Sequence, residues 1–157
     1  MARLLALAAI VAASSAAIAS ASTANGNLQS AQRYVARLCH SGSVRSKNMW
    51  ETDRSFRFNA LYGDCGGGDG AEQRIWFFAG RRFIGTDART SSASIVGLWR
   101  DLNTIAFMYV LYRPNDPVCC ATGGGRIVRY HWTGKRVVRL DPLPPRTASN
   151  HHSGRYP

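Results

Sequence analysis

The chain has 157 residues, 45% of them hydrophobic, and carries 20 Lys and Arg against 9 Asp and Glu, a formal charge of +11. That length and apolar content exclude a disordered or fibrous polypeptide and suit one globular domain. The charge favours anionic surroundings such as phosphates, acidic glycans or lipid head groups, without choosing among them.

Residues 1–24 have the grammar of a signal peptide: Arg3, an apolar run over 4–13, then small residues with cleavage expected after Ala21 or Ala24. The run is shorter than the roughly 20 residues of a membrane-spanning helix, so no transmembrane span is expected in the mature form. The first cysteine, Cys39, lies well past the cleavage region and is not placed to become a lipidated N-terminus. The protein is therefore expected to be exported, secreted or cell-envelope associated, and not lipid-anchored. Residues 25–141 read as a single domain, and 142–157, rich in proline and polar residues, as a disordered tail.

Within the domain, Leu28, Ala31, Val35 and Leu38 recur at helical spacing behind Asn27, a capping residue type, which predicts one helix ending near Cys39. The next stretch, HSGSVRSKNMWETD, reads as a loop. Short β-branched and aromatic segments then follow between turn signals, predicting strands over 55–62, 73–79, 82–85, 94–100, 104–113, 126–132 and 136–140. Both alternating residue sets of TIAFMYVLY are largely apolar, so 104–112 is expected to be central and covered on both faces, with the helix able to supply one cover. The expected fold is α+β: one N-terminal helix packed on an antiparallel meander sheet of about six strands, stapled by disulfides.

The last hairpin, RIVRYHWTGKRVVRL, admits two registers. A two-residue loop leaves both faces mixed. A three-residue loop at 133–135 pairs Trp132 with Arg136, Tyr130 with Val138 and Val128 with Leu140, and gathers the apolar groups on one face. In the second, preferred register the opposite face carries Arg129, His131 and Arg139, the candidate contact for an anionic partner.

Outside the cytoplasm the cysteines Cys39, Cys65, Cys119 and Cys120 are expected to form two disulfides. A bond between the neighbours Cys119 and Cys120 would have Cα atoms only about 3.8 Å apart, below the usual disulfide range. Side chains of adjacent extended residues point apart, so Cys39 and Cys65 are each expected to pair with one of the two, in an order the sequence leaves open. Adjacent cysteines make a poor chelate and no C-x-x-C occurs, so neither a metal nor a redox motif is read here, and no cofactor is expected. The glycine runs 66–68 and 123–125 lack the residues that complete a phosphate-binding loop, and the pair His151 and His152 in a polar tail is too little for a metal site.

The segment LYRPNDPVCCATGGG, followed by IVRYHWTGKRVVRLDPLPP, resembles the C-terminal signature of the LppP/LprE lipoprotein family of mycobacteria and related actinobacteria. The features concerned are Tyr112-Arg113-Pro114, Asp116-Pro117, Cys119-Cys120, Gly123-Gly124, Val128-Arg129-Tyr130, Trp132 and Leu140-Asp141-Pro142 with Pro144-Pro145. The earlier FIGTD, at 83–87, is similar to the family too. The likeness spans roughly 77–145. Members begin with a lipobox cysteine, which this sequence lacks, so lipid anchoring is not carried over, and Ala121 stands where the family tends to have proline. The resemblance implies an exported cell-envelope protein of an actinobacterium and supplies no catalytic residues.

These readings converge on a non-catalytic protein that binds an anionic or amphiphilic envelope component or an envelope protein. Nucleic acid is not an expected partner for an exported chain. The competing reading is a small secreted basic hydrolase or nuclease using His131 or His40 with a carboxylate such as Glu51 or Glu72. No recognised catalytic motif accompanies it.

Overall fold

Asn27 opens a helix, α1 (27–38), whose stripe of Leu28, Ala31 and Val35 is apolar on one side only. In this computed structural model the described residues are 27–39, 44–51, 57–66, 72–117, 119–145 and Arg155. The signal-peptide reading, His40, His151 and His152 lie outside them.

Eight strands follow: β1 (Arg45–Met49), β2 (Phe58–Asp64), β3 (Arg74–Ala79), β4 (Arg82–Thr86), β5 (Ile95–Arg100), β6 (Thr104–Val110), β7 (Gly125–Trp132) and β8 (Val137–Arg139). They form two antiparallel sheets of four strands, each in sequence order, β1 to β4 and β5 to β8. The expected single sheet of about six strands is thus two sheets, and among the described residues the fold is mostly β with one helix. Each predicted strand segment overlaps one observed strand, β2 to β8 in order. β1 was read as loop because RSKNM is polar: it is an edge strand whose place comes from pairing with β2.

The sheets pack face to face. Phe58, Ala60 and Tyr62 of β2 and Ile75 and Phe77 of β3 meet Ile95, Ile105, Phe107, Tyr109, Val128, Tyr130 and Trp132 of the second sheet. Arg100 ties them at one end, donating to the carbonyls of Met49 at 2.8 Å and Phe58 at 2.7 Å and to Asn59 Oδ1 at 2.8 Å. Gly97 permits close approach at the seam: a Cβ there would lie 2.6 Å from Met49 Sδ and 3.2 Å from Tyr62 Cε1.

The helix covers the other face of the first sheet, where Ala31, Val35 and Cys39 bury against Leu61, Trp76 and Phe78. The doubly covered strands are therefore β2 and β3. β6, expected to be covered on both faces, has one fully buried face (Ile105, Phe107, Tyr109), while on the other Ala106 is buried and Met108 and Val110 are partly buried. A single helix cannot cover two sheets.

The expectation about the staples is corrected. Cys39 bonds Cys65, with Cα atoms 5.1 Å apart, and Cys119 bonds Cys120. Cys39 and Cys65 lie together in the helix-covered layer, whereas the Cys119–Cys120 loop springs from the second sheet, so the cross-pairing is replaced by two local bonds. Among the described residues of 142–157, Leu143 packs on the core, Pro144 is fully buried, and the Arg155 guanidinium donates to Ser92 Oγ at 2.6 Å and to the Pro144 carbonyl at 2.7 Å.

Candidate functional site

Six of the seven large hydrophobic side chains most exposed among the described residues belong to the second sheet or its turns: Val96, Leu98, Trp99, Leu102, Ile127 and Leu140. Strand alternation explains their gathering. Ile95 faces the core, so Val96 faces out. Opposite Val96 stands Met108, and opposite Met108 stands Ile127, forming one row across β5, β6 and β7. The next row is Trp99, Ala106 and Arg129. The two rows combine exposed Val96, Trp99 and Ile127 with a half-buried Met108 and a buried Ala106.

Of the predicted contact residues, Arg129 and His131 lie on this face and Arg139 does not. The hairpin closes with four loop residues, pairing Tyr130 with Arg139, His131 with Val138 and Trp132 with Val137, so neither predicted register holds. The one-residue slip turns Arg139 to the Tyr130 side. Thr133 stabilises the longer loop: its amide and hydroxyl donate to the Arg136 carbonyl, both at 3.1 Å, and its oxygen accepts from the Arg136 amide at 3.2 Å.

Arg129 is engaged. Its Nε and Nη2 each donate to Asp141 at 2.9 Å, and its amide does so at 2.8 Å. Those bonds hold the Asp141 carboxyl down at about 2 and raise the guanidinium. His131 Nδ1 lies 3.1 Å from Thr104 Oγ1, a neighbouring strand hydroxyl. Among the described residues no group of three or more His, Cys, Asp or Glu is placed to hold a metal, and no helix is long and apolar enough to cross a membrane.

Beside the apolar face runs a cleft of about 430 Å³ at the seam where the β1 and β5 edges meet. Its lining includes Arg45, Lys47, Tyr62, Gln73, Ser94 and Val96. Gly63 holds β1 against β2 there: with φ at 149°, a Cβ would overlap the Arg45 carbonyl. Sequence reasoning missed this cleft because β1 was not read as a strand. It misses the apolar face because two apolar residue sets on β6 fit a strand covered on both faces as well as one with an exposed side.

Inside the sandwich, Tyr109 donates to Asp87 Oδ2 at 2.6 Å and shares a 2.8 Å hydrogen bond with Tyr130, while Asp87 Oδ1 accepts from the Ile75 amide at 3.0 Å. Burial pushes the Asp87 carboxyl and both phenols up. Asp87 and Tyr130 are among the residues that carry the resemblance noted in the sequence, and here they join the two sheets.

The loop of Cys119 and Cys120 is organised by Asp116, which accepts from the Arg113 and Thr122 amides, each at 2.7 Å, and from Thr122 Oγ1. These bonds lower the Asp116 carboxyl. The arrangement is a self-bonded turn, and both cysteines are exposed on it.

Comparison with known proteins agrees with the residues already noted. The profile of the LppP/LprE lipoprotein family matches residues 52–135, which include FIGTD, the vicinal cysteines and the β7 strand. No curated protein and no solved structure matches the chain.

Proposed function

The chain belongs to the LppP/LprE lipoprotein family, and on that premise we propose that it is an exported, non-catalytic protein of the actinobacterial cell envelope that binds an anionic amphiphile. The observation that carries the reading is the outer face of the second sheet, where Val96, Trp99 and Ile127 are exposed among the described residues, set in a chain of charge +11. Residues 95–141, which include that sheet, hold seven Arg and Lys against three Asp. A second copy of the same chain would bring like charges together, whereas an anionic amphiphile satisfies both the apolar rows and the field. Association without a covalent lipid is part of the proposal; Cys39 supports it in being buried and bonded to Cys65. His131, the candidate base of the hydrolase reading, has the Thr104 hydroxyl as its neighbour, which favours a structural role.

Co-sedimentation with vesicles tests this. Anionic phosphatidylglycerol vesicles should retain the protein in a salt-sensitive way and neutral phosphatidylcholine vesicles should not. The Trp99→Ser, Ile127→Ser double variant, folded by circular dichroism, should stay in the supernatant. Equal retention of variant and parent would remove the face from consideration.

A further inference from the structure

We infer that the cleft at the β1 and β5 edges is a head-group site, taking the phosphate end of one amphiphile whose apolar part lies along Val96, Met108 and Ile127. The inference rests on the amphiphile reading above and adds to it the place and chemistry of the head.

Three observations carry it. First, Arg45, Lys47 and Met49 alternate onto one face of β1. Met49 packs on the core between the sheets, so the two cations continue that inward face past the end of the core, where the cleft opens. Second, the cleft's volume of about 430 Å³ lies within the range of small-molecule sites, and Gln73 and Ser94 add polar groups to a lining with Tyr62 and Ile95. Third, Val96 belongs both to the lining and to the apolar row, so the two surfaces are continuous. The row crosses two strand spacings, about 10 Å.

The charge pattern selects the head. Arg45 Nε donates to Asp64 at 3.1 Å, so one carboxylate is already present at the cleft. Lys47, two residues along and exposed, adds a second cation. A multi-oxygen phosphate can bridge both cations, as a point-charge lysine and a planar guanidinium readily do together. A free phosphate ion would use the cleft alone, whereas an amphiphile uses cleft and row.

The test is calorimetric titration of the full chain with dihexanoyl phosphatidic acid below its micelle concentration, with dihexanoyl phosphatidylcholine and with inorganic phosphate. Saturable binding of the phosphatidic acid, about tenfold or more tighter than either comparison ligand, is expected. Lys47→Glu should weaken it by about tenfold or more. Ile127→Ser should weaken phosphatidic acid and leave inorganic phosphate unchanged. Equal affinity for phosphatidic acid and phosphate, or indifference to Lys47→Glu, overturns the inference. Vesicle binding without saturable short-chain binding overturns it too, while leaving the docking face standing; loss of both removes both. Lys47→Ala serves as the second variant should charge reversal disturb β1.

Discussion

Tyr109 holds its phenolic oxygen 2.6 Å from the Asp87 carboxylate, across the interface of the two sheets. Asp87 follows β4 of the first sheet and Tyr109 sits on β6, in the second, so the bond fastens one layer to the other where apolar packing alone would leave their relative position loosely specified.

Because burial raises the Asp87 carboxyl, the folded state binds its proton more tightly than the unfolded chain does. Its contribution to stability is therefore full below the unfolded pKa, about 4, and declines as pH rises through the higher folded value. Asp87→Asn should flatten that decline in urea melts recorded across pH 4 to 7. Asp87→Ala, which removes both acceptors of Tyr109 and the Ile75 amide, should cost about 1–3 kcal/mol. An unchanged pH slope in the asparagine variant would contradict the assignment.

Asp141 acts with the opposite sign. Its carboxyl is held at about 2 by Arg129, so the stability it lends is present above the unfolded pKa and is lost as pH falls through the folded one. Asp141→Asn should lower stability at neutral pH and reduce the loss on acidification between roughly pH 4 and 2. Fluorescence-detected melting at those pH values measures it.

Arg100 is a further polar tie between the layers, with hydrogen bonds to Met49 of β1 and to Phe58 and Asn59 of β2. Removing the guanidinium in Arg100→Ala should destabilise the fold by about 3 kcal/mol, since charged hydrogen bonds are lost and buried acceptors remain. Arg100→Lys should recover only part, because one ammonium cannot reproduce the planar fork. Equilibrium unfolding of the two variants gives both numbers.

Gly97 offers a steric test of the sheet seam. Gly97→Val would press on Met49 and Tyr62 and should cost about 1–3 kcal/mol, with Gly97→Ala nearer the lower end because the Met49 thioether can shift. Loss of phosphatidic acid binding should accompany the valine variant, since Tyr62 lines the cleft.

Peptide mapping of non-reduced protein should recover Cys39 linked to Cys65, and Cys119 linked to Cys120 within one peptide. The pair Cys39→Ser, Cys65→Ser should lower stability by about 3–4 kcal/mol in the chain-entropy account of a bond spanning 26 residues. Recovery of Cys39 linked to Cys119 or Cys120 would reverse the correction made above.

The local elements and the kinship were legible in the order of the residues. Apolar spacing marked α1, β-branched and aromatic segments between turn signals marked β2 to β8, and FIGTD with the vicinal cysteines marked the family. Each of these signals is carried by residues close in the chain. What only the tertiary structure decided depends on pairings between distant residues. The polar RSKNM becomes a strand because β2 offers it a ladder, and with it comes the cleft at Arg45 and Lys47. The apolar outer set of β6 reads the same whether covered or bare, and the helix lies on the other sheet. One extra residue in the Thr133 turn moves Arg139 off the face of Arg129, since a strand's side chains change sides at every residue. Cysteine pairing likewise follows from which loops meet, a property of packing and not of spacing along the chain.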